Sequence, residues 1–119
     1  MAVYREFVVP SDEEIIEEFG VIPEVVSEFE AKRLDFSSVM EGGVVLTYDA
    51  LARSIAIIWK NFSGEVIVDI FKEGATRMSV VSFDGTSQIS LRFDSGEVEE
   101  ELFLQIFPRP KLTGRGLFS

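Results

Sequence analysis

The most constraining feature of this sequence is an alternation of apolar and polar residues that begins at Gly43 and continues to Phe107. It is clearest where Ile89, Leu91 and Phe93 alternate with polar side chains. A period of two is typical of β-strands that bury one face. Because short glycine-containing turns separate the alternating segments, consecutive strands are expected to pair antiparallel. The sequence therefore predicts an antiparallel meander.

The alternating segments divide into a sheet of about five to six strands. The predicted strands are residues 44–48, 54–60, 65–72, 76–83, 88–94 and 97–107. Residues 50–62 also fit a helix that begins at an Asp49 cap. Strands are preferred there because Ile55 and Ile57 are β-branched. The segment 65–72 is apolar on both faces, which predicts a central strand covered on both sides.

A short amphipathic helix is predicted before the sheet. Ser11 and Glu14 have the spacing of a capping box, in which each side chain accepts a hydrogen bond from the other residue's backbone N–H. Gly20 is suited to end this helix. The apolar stripe of the helix consists of Ile15, Ile16 and Phe19.

A second helix is predicted from Pro23 to about Arg33, because proline is favoured in the first turn and basic residues are favoured near the end. The expected fold is therefore α+β, with two short N-terminal helices packed on the antiparallel meander. The length of 119 residues and the content of apolar residues indicate a single domain over residues 1–119.

The C-terminal residues 108–119 differ in composition from the rest of the chain. They contain two prolines, two glycines, three basic residues and no acidic residue. Proline and glycine argue against a regular element, so an extended tail is expected. Its basic charge favours a position across the protein's own acidic helices or those of a second copy.

The charge of the chain is concentrated in its first fifty residues. They contain twelve carboxylates and three basic groups, which gives −9 of the net charge of −10. Such a surface suits a basic partner and argues against binding to nucleic acid or to an anionic membrane. The chain also contains no histidine and no cysteine. Their absence excludes His-based triads, Cys nucleophiles and the commonest metal ligands, and no cofactor is expected.

The hydropathy of the chain predicts neither a membrane span nor a secretion signal. The most apolar stretch, from Ile55 to Trp59, is far shorter than the roughly twenty residues that span a bilayer. The first residues lack the apolar region of a signal peptide. The expected compartment is the cytoplasm.

Two groups of glutamates are candidates for contact with a partner. The first lies on the first predicted helix and consists of Glu13, Glu14, Glu17 and Glu18. The second lies on the last predicted strand, where Glu99, Glu101 and Phe103 share a face beside Glu97 and Glu100. A solvated helix face that only aids solubility also explains the first group. Charges that protect a sheet edge from pairing with other chains also explain the second.

In size, acidity and lack of catalytic side chains, the chain resembles the small immunity proteins with which bacteria neutralise their own toxic nucleases. The resemblance implies a non-enzymatic inhibitor whose glutamates contact a basic toxin, because a nuclease site that holds phosphates is positive. The alternative is a self-associating structural or accessory domain, which predicts a homodimer insensitive to salt. A third hypothesis is an enzyme that uses only Asp, Glu, Lys, Ser or Tyr.

Overall fold

The computed structural model of the protein describes residues 6–28, 31–39, 42–94, 96 and 98–118. These residues form one α-helix and nine β-strands. The elements are α1 (Asp12–Phe19), β1 (Glu24–Val25), β2 (Lys32–Asp35), β3 (Gly43–Asp49), β4 (Ser54–Lys60), β5 (Val66–Glu73), β6 (Ala75–Phe83), β7 (Thr86–Asp94), β8 (Val98–Phe107) and β9 (Lys111–Phe118). In this part of the chain, no helix has the length and apolar character needed to cross a membrane.

The strands form two antiparallel sheets. The first sheet has the order β1-β2-β3-β4-β5, and the second has the order β6-β7-β8-β9. The predicted α+β fold, with two helices on one meander of five to six strands, is therefore wrong. The described chain is mostly β and has a single short helix. A short turn shows that two strands change direction, but it does not show that they pair, and β5 and β6 lie in different sheets.

The predicted second helix is also wrong, because residues 23–33 contain two strands of a hairpin. Strand β1 pairs antiparallel with β2, and an ion pair of 2.8 Å joins Glu24 to Arg33 across the two strands. Val25 and Val26 are β-branched and favour the extended backbone. In a stretch this short, apolar spacing fits a helix and a hairpin equally well, and the cross-strand ion pair fits only the hairpin.

The strands predicted between residues 44 and 107 are confirmed as β3 to β8, and the helix considered for residues 50–62 is absent. Asp49 instead stabilises the turn after β3, where its carboxylate accepts a hydrogen bond of 2.9 Å from the backbone N–H of Ala52. The central position predicted for β5 is wrong. Among the described residues, its ladder partner is β4 alone, and the side chains of Ile67 and Phe71 are exposed.

The C-terminal segment forms β9, so the expectation of an irregular tail is wrong. This strand pairs with β8 from Gln105↔Lys111 to Val98↔Phe118. Gly114 makes room for a side chain of the neighbouring strand, because a Cβ at this position would lie 2.7 Å from Cδ2 of Leu102. The basic residues of this segment therefore lie on the second sheet and not across α1.

One core lies between the two sheets, and α1 covers part of it. The largest fully buried side chains are Ile15, Leu34, Phe36, Val44, Leu46, Ile55, Ile57, Met78, Ile89, Leu91, Leu104 and Ile106. They come from both sheets, from α1 and from the segment after β2. Phe19 of α1 packs edge-to-face on Phe36, with 5.5 Å between ring centroids. The inner faces of the sheets and the helix therefore form one apolar cluster.

The segment before α1 covers the edge of the second sheet. Val8 pairs in parallel with Arg77 of β6. The Val8 N–H donates to the Thr76 carbonyl at 3.0 Å, and the Met78 N–H donates to the Val8 carbonyl at 2.8 Å. These bonds satisfy backbone groups that an edge strand would otherwise leave unpaired.

The chain passes from the first sheet to the second at Gly74. This residue has a φ of +83°, in the left-handed region that favours glycine. Its carbonyl accepts a hydrogen bond of 3.0 Å from the Asp94 N–H at the end of β7. The next N–H, of Ala75, donates to the Arg53 carbonyl of the first sheet's β3–β4 turn at 3.0 Å. The corner is therefore bonded to both sheets.

A side-chain ion pair joins the sheets close to this corner. Lys72 of β5 points inward, and its Nζ lies 2.7 Å from Oε2 of Glu100 on β8. The same ammonium lies 5.4 Å from the ring centroid of Phe93. Both ionic side chains are partly buried, so solvent screens this pair less than it screens an exposed one.

We expect Gly74→Ala to lower the free energy of unfolding more than Gly85→Ala. Both glycines have positive φ, +83° and +79°, so both substitutions carry a backbone cost of about 1–2 kcal/mol. A Cβ at position 74 would lie 3.2 Å from the Asp94 carbonyl oxygen, whereas nothing lies within 4 Å of a Cβ at position 85. Urea denaturation of the two variants measures the difference. Equal losses would contradict tight packing at the corner.

Candidate protein-binding surfaces

Helix α1 begins and ends where the sequence predicts. The Ser11 hydroxyl accepts a hydrogen bond of 3.2 Å from the Glu14 N–H, and Glu14 Oε1 accepts one of 3.5 Å from the Ser11 N–H. The Gly20 N–H donates to the Ile16 carbonyl at 2.8 Å and closes the other end. The capping box and the glycine end are confirmed. Together they hold an eight-residue helix that is too short to persist alone.

The four predicted glutamates of α1 have different environments. Glu13 and Glu17 are exposed, one turn apart on the same side of the helix, and no hydrogen bond or ion pair to another described residue engages them. Glu14 belongs to the capping box. Glu18 is partly buried and accepts a hydrogen bond of 2.7 Å from the Ser87 hydroxyl. Two carboxylates are thus available to a partner, and two contribute to holding the helix.

Two open depressions border α1. One, of about 290 Å³, is lined by Glu14, Glu17, Glu18, Val80 and Ser82. The other, of about 320 Å³, lies beyond the end of the helix and is lined by Gly20, Val21, Ile22, Glu24, Asp35, Ser37 and Ser38. The exposed side of α1 together with residues 20–24 and 35–38 is called the acidic surface below. Carboxylates line both of its depressions.

Asp35 keeps its negative charge in the second depression. The Ser37 hydroxyl donates a hydrogen bond of 2.6 Å to its carboxylate, and the Ser37 N–H donates another of 3.0 Å. These hydrogen bonds, with the smaller effect of the Arg33 charge, lower the pKa of Asp35, although burial acts in the opposite direction. The acidic surface is therefore charged at neutral pH in this region.

The acidic surface also contains exposed apolar residues that the sequence analysis missed. Ile16 was assigned to the buried stripe of the helix, but 41% of its side chain is exposed beside Glu13 and Glu17. Ile22 is 72% exposed in the second depression. The spacing of three residues from Glu13 to Ile16 makes them neighbours on the helix surface, and this spacing could have identified Ile16 as exposed. Apolar side chains within a charged surface are typical of protein interfaces.

The second group of glutamates lies away from α1. Glu99, Glu101 and Phe103 lie on the outer face of the second sheet, in register with residues 94, 92 and 90 of β7. Glu18 of α1 instead contacts Ser87, which follows the inner-face alternation of β7. The structure does not bring the two predicted groups together. Glu97 lies outside the described residues.

Glu101 is engaged by two arginines. Its Oε1 lies 3.6 Å from Nη2 of Arg92 and 3.5 Å from Nη2 of Arg115. The Arg115 guanidinium also lies 5.7 Å from the ring centroid of Phe103. The charge of Glu101 is therefore balanced within the protein. Within the described ranges, no three acidic side chains are grouped so that they could hold a metal ion.

An exposed apolar region lies at the edge of the first sheet. Phe71 of β5 is 65% exposed on the outer face, and Ile67 of the same strand is 50% exposed. Phe62, in the preceding turn, is exposed as well. Trp59, near the end of β4, packs against the core instead. This region is called the apolar edge below.

A buried phenol lies close to α1. The Tyr48 hydroxyl is the one buried side-chain polar atom of the described residues that lacks a hydrogen-bond partner. Burial raises the pKa of Tyr48 to about 12, with a further contribution from the negative charge of Asp12. Asp12 itself forms an ion pair of 2.8 Å with Lys32, which joins α1 to the first sheet.

Comparison with known proteins gives one fold relationship. No family model matches the chain, and no curated protein matches it. Its structure is similar to a chain in the solved structure of a contact-dependent growth inhibition toxin–immunity protein complex from Klebsiella pneumoniae 342. The TM-score is 0.80, and the match covers 92% of this chain and 96% of that chain at 13% sequence identity. The two chains share a fold.

We expect Tyr48→Phe to raise the free energy of unfolding at neutral pH by about 1 kcal/mol, because it removes a buried hydroxyl without a partner. Because the folded-state pKa of this phenol is raised, its ionisation favours the unfolded state, and stability falls as the pH rises from about 10 to about 12. The variant should show a smaller decline over that range than the unmodified protein. Denaturant titrations at pH 7, 9.5 and 11 measure both effects. A less stable variant with an unchanged decline would contradict this account.

Proposed function

We propose that this protein is a non-enzymatic immunity-type inhibitor that binds a basic protein, such as a toxin nuclease, through its acidic surface. The proposal rests on the exposed side chains of α1. Glu13 and Glu17 are exposed and unpaired among the described residues, and Ile16, three residues after Glu13, is exposed as well. The fold shared with a chain of a toxin–immunity protein complex supports the same class of function. We further propose that the protein acts in the cytoplasm.

Electrostatic attraction explains how such a surface finds a basic partner. A nuclease site must be positive to hold phosphates, so opposite charges steer the encounter and raise the association rate. The chain carries a net charge of −10, and most of it lies in the first fifty residues, which contain α1. Long-range attraction is therefore directed toward the end of the molecule that carries the acidic surface.

Apolar contacts supply binding affinity that charge pairs alone do not. Exposed charge pairs add little affinity, whereas buried apolar anchors at the centre of an interface contribute most of it. Ile16 and Ile22 are apolar, exposed and surrounded by carboxylates. We propose that they are the anchors and that Glu13 and Glu17 form the charged rim.

Glu13→Lys/Glu17→Lys tests the proposal, because it reverses charge on the acidic surface without removing a bond that holds the fold. The matched control is Glu65→Lys/Glu73→Lys, which makes the same change at exposed positions at the two ends of β5. Tagged protein is incubated with lysate of its source organism, and bound proteins are released with salt and identified. We expect one basic protein, and we expect its Kd to rise about tenfold or more for the helix variant alone.

Each result of this experiment has a defined meaning. A loss of affinity confined to the helix variant supports the acidic surface. Equal losses in both variants would show that net charge, not this surface, controls binding. Recovery of the tagged protein alone would contradict the inhibitor proposal.

The apolar edge favours a second candidate function, self-association. Strand β5 has one ladder partner among the described residues, and it exposes Ile67 and Phe71. An exposed edge strand pairs readily with a second copy. This function predicts a dimer that persists at high salt and dissociates in Phe71→Ser, as measured by sedimentation. A salt-stable dimer that is unchanged by Phe71→Ser would contradict pairing through this edge.

A further inference from the structure

The outer face of the second sheet carries a concentration of cations in an otherwise acidic protein. Arg77 on β6, Arg92 on β7, and Lys111 and Arg115 on β9 all lie on this face. They are four of the eleven basic residues in the chain. This group is called the arginine face below. Three strands of the second sheet, β6, β7 and β9, contribute to it, so it exists only in the folded protein.

Two of these cations face each other at close range. Arg77 and Arg92 are register partners in the β6–β7 ladder. Directly opposite residues in an antiparallel pair lie roughly 5 Å apart, and like charges at that position are destabilising. Both side chains are exposed. Neither arginine belongs to the buried core, so both guanidinium groups are accessible from solvent.

The cations of the arginine face outnumber the carboxylates of the same outer face by one, because Asp94, Glu99 and Glu101 also lie there. Glu101 lies within 4 Å of Arg92 and Arg115, but at 3.6 and 3.5 Å it is farther away than the roughly 2.8 Å of a strong charge-assisted hydrogen bond. Arg77 has no carboxylate oxygen within 4.0 Å among the described residues. Its guanidinium Nε donates only to the Ser79 hydroxyl, at 3.3 Å. Donors of Arg77 and Arg92 thus remain for an incoming anion.

The shape of the surface suits an extended segment. Arg77, Ser79, Val81, Ser90 and Arg92 line an open depression of about 240 Å³ across β6 and β7. The guanidinium groups and the two hydroxyls all donate hydrogen bonds, as recognition of a carboxylate requires. Farther across the sheet, Arg115 lies over Phe103. Arginine beside an aromatic ring is a frequent combination at protein-binding sites.

We propose that the arginine face binds an acidic protein segment in which at least two carboxylates contact Arg77 and Arg92. Charge complementarity identifies the partner, because this face is the cationic part of the second sheet. A nucleic acid fits less well. Its evenly spaced phosphates would meet Glu99 and Glu101 on the same face, whereas a protein segment needs only two carboxylates, placed at Arg77 and Arg92. The proposal goes beyond the proposed inhibitor function and does not depend on it.

The test uses a labelled peptide of six alternating Glu-Ser pairs and the full chain at low ionic strength. Fluorescence anisotropy is expected to show saturable binding, and Arg77→Ser/Arg92→Ser is expected to raise the Kd about tenfold or more. The control, Lys60→Ser/Arg109→Ser, removes two exposed cations outside the arginine face and should change the Kd less than about threefold. A second variant, Arg77→Gln/Arg92→Gln, repeats the test with longer polar side chains.

Stability measurements separate binding from folding. If Arg77 and Arg92 repel each other, Arg77→Ser should leave the melting temperature unchanged or raise it. The peptide should raise the melting temperature of the unmodified protein and leave that of Arg77→Ser/Arg92→Ser unchanged.

Three results would overturn the proposal. The first is the absence of peptide binding at low ionic strength. The second is an equal loss of affinity in the control, since that would show an effect of net charge alone. The third is tighter binding of a twelve-nucleotide oligothymidine than of the peptide through the same arginines, since that would assign the face to nucleic acid.

Discussion

The structure depends on the backbone corner at Gly74, where the chain leaves the first sheet and enters the second. Main-chain hydrogen bonds connect this corner to Asp94 of the second sheet and to Arg53 of the first. Because β6 departs from β5 without pairing to it, the inner faces of both sheets meet around one core, and the outer faces remain open to solvent. Close to this corner, the ion pair between Lys72 and Glu100 also joins the two sheets. The acidic surface, the apolar edge and the arginine face all take their positions from this arrangement.

The exposed glutamates of α1 and the arginine face lie on different surfaces of the molecule. The negative charge near α1 comes from a continuous stretch of sequence, whereas the arginine face comes from three strands whose registers align Arg77, Arg92 and Arg115. The outer face of the second sheet also carries Glu99 and Glu101, so its excess of positive charge is local to Arg77 and Arg92. The proposed basic partner and the proposed acidic segment would therefore contact different surfaces.

Much of this fold could be predicted from local patterns. The alternation of apolar and polar residues predicted the positions of β3 to β8. Ser11, Glu14 and Gly20 predicted both ends of α1. Three features could not be predicted in this way. Val25 and Val26 fit a helix and a hairpin alike. Gly114 of β9 is explained only by its neighbour Leu102, and the turn at Gly74 resembles a hairpin turn. The glutamates of α1 were visible in sequence, but the opposition of Arg77 and Arg92 depends on strand register and on a β-bulge.

The hydrogen bond between Glu18 and Ser87 connects residues that are 69 positions apart, and Val8 pairs with a strand of similar separation. During synthesis, α1 leaves the ribosome long before β6 and β7 exist, and eight residues cannot hold a helix without packing. Contacts of such long range also slow folding, because a large loop must close before they form. The first sheet can hold α1 through Lys32 and Phe36, but the bond from Ser87 to Glu18 forms only once β7 has emerged. An activity that needs the fully ordered acidic helix therefore belongs to chains synthesised through β7.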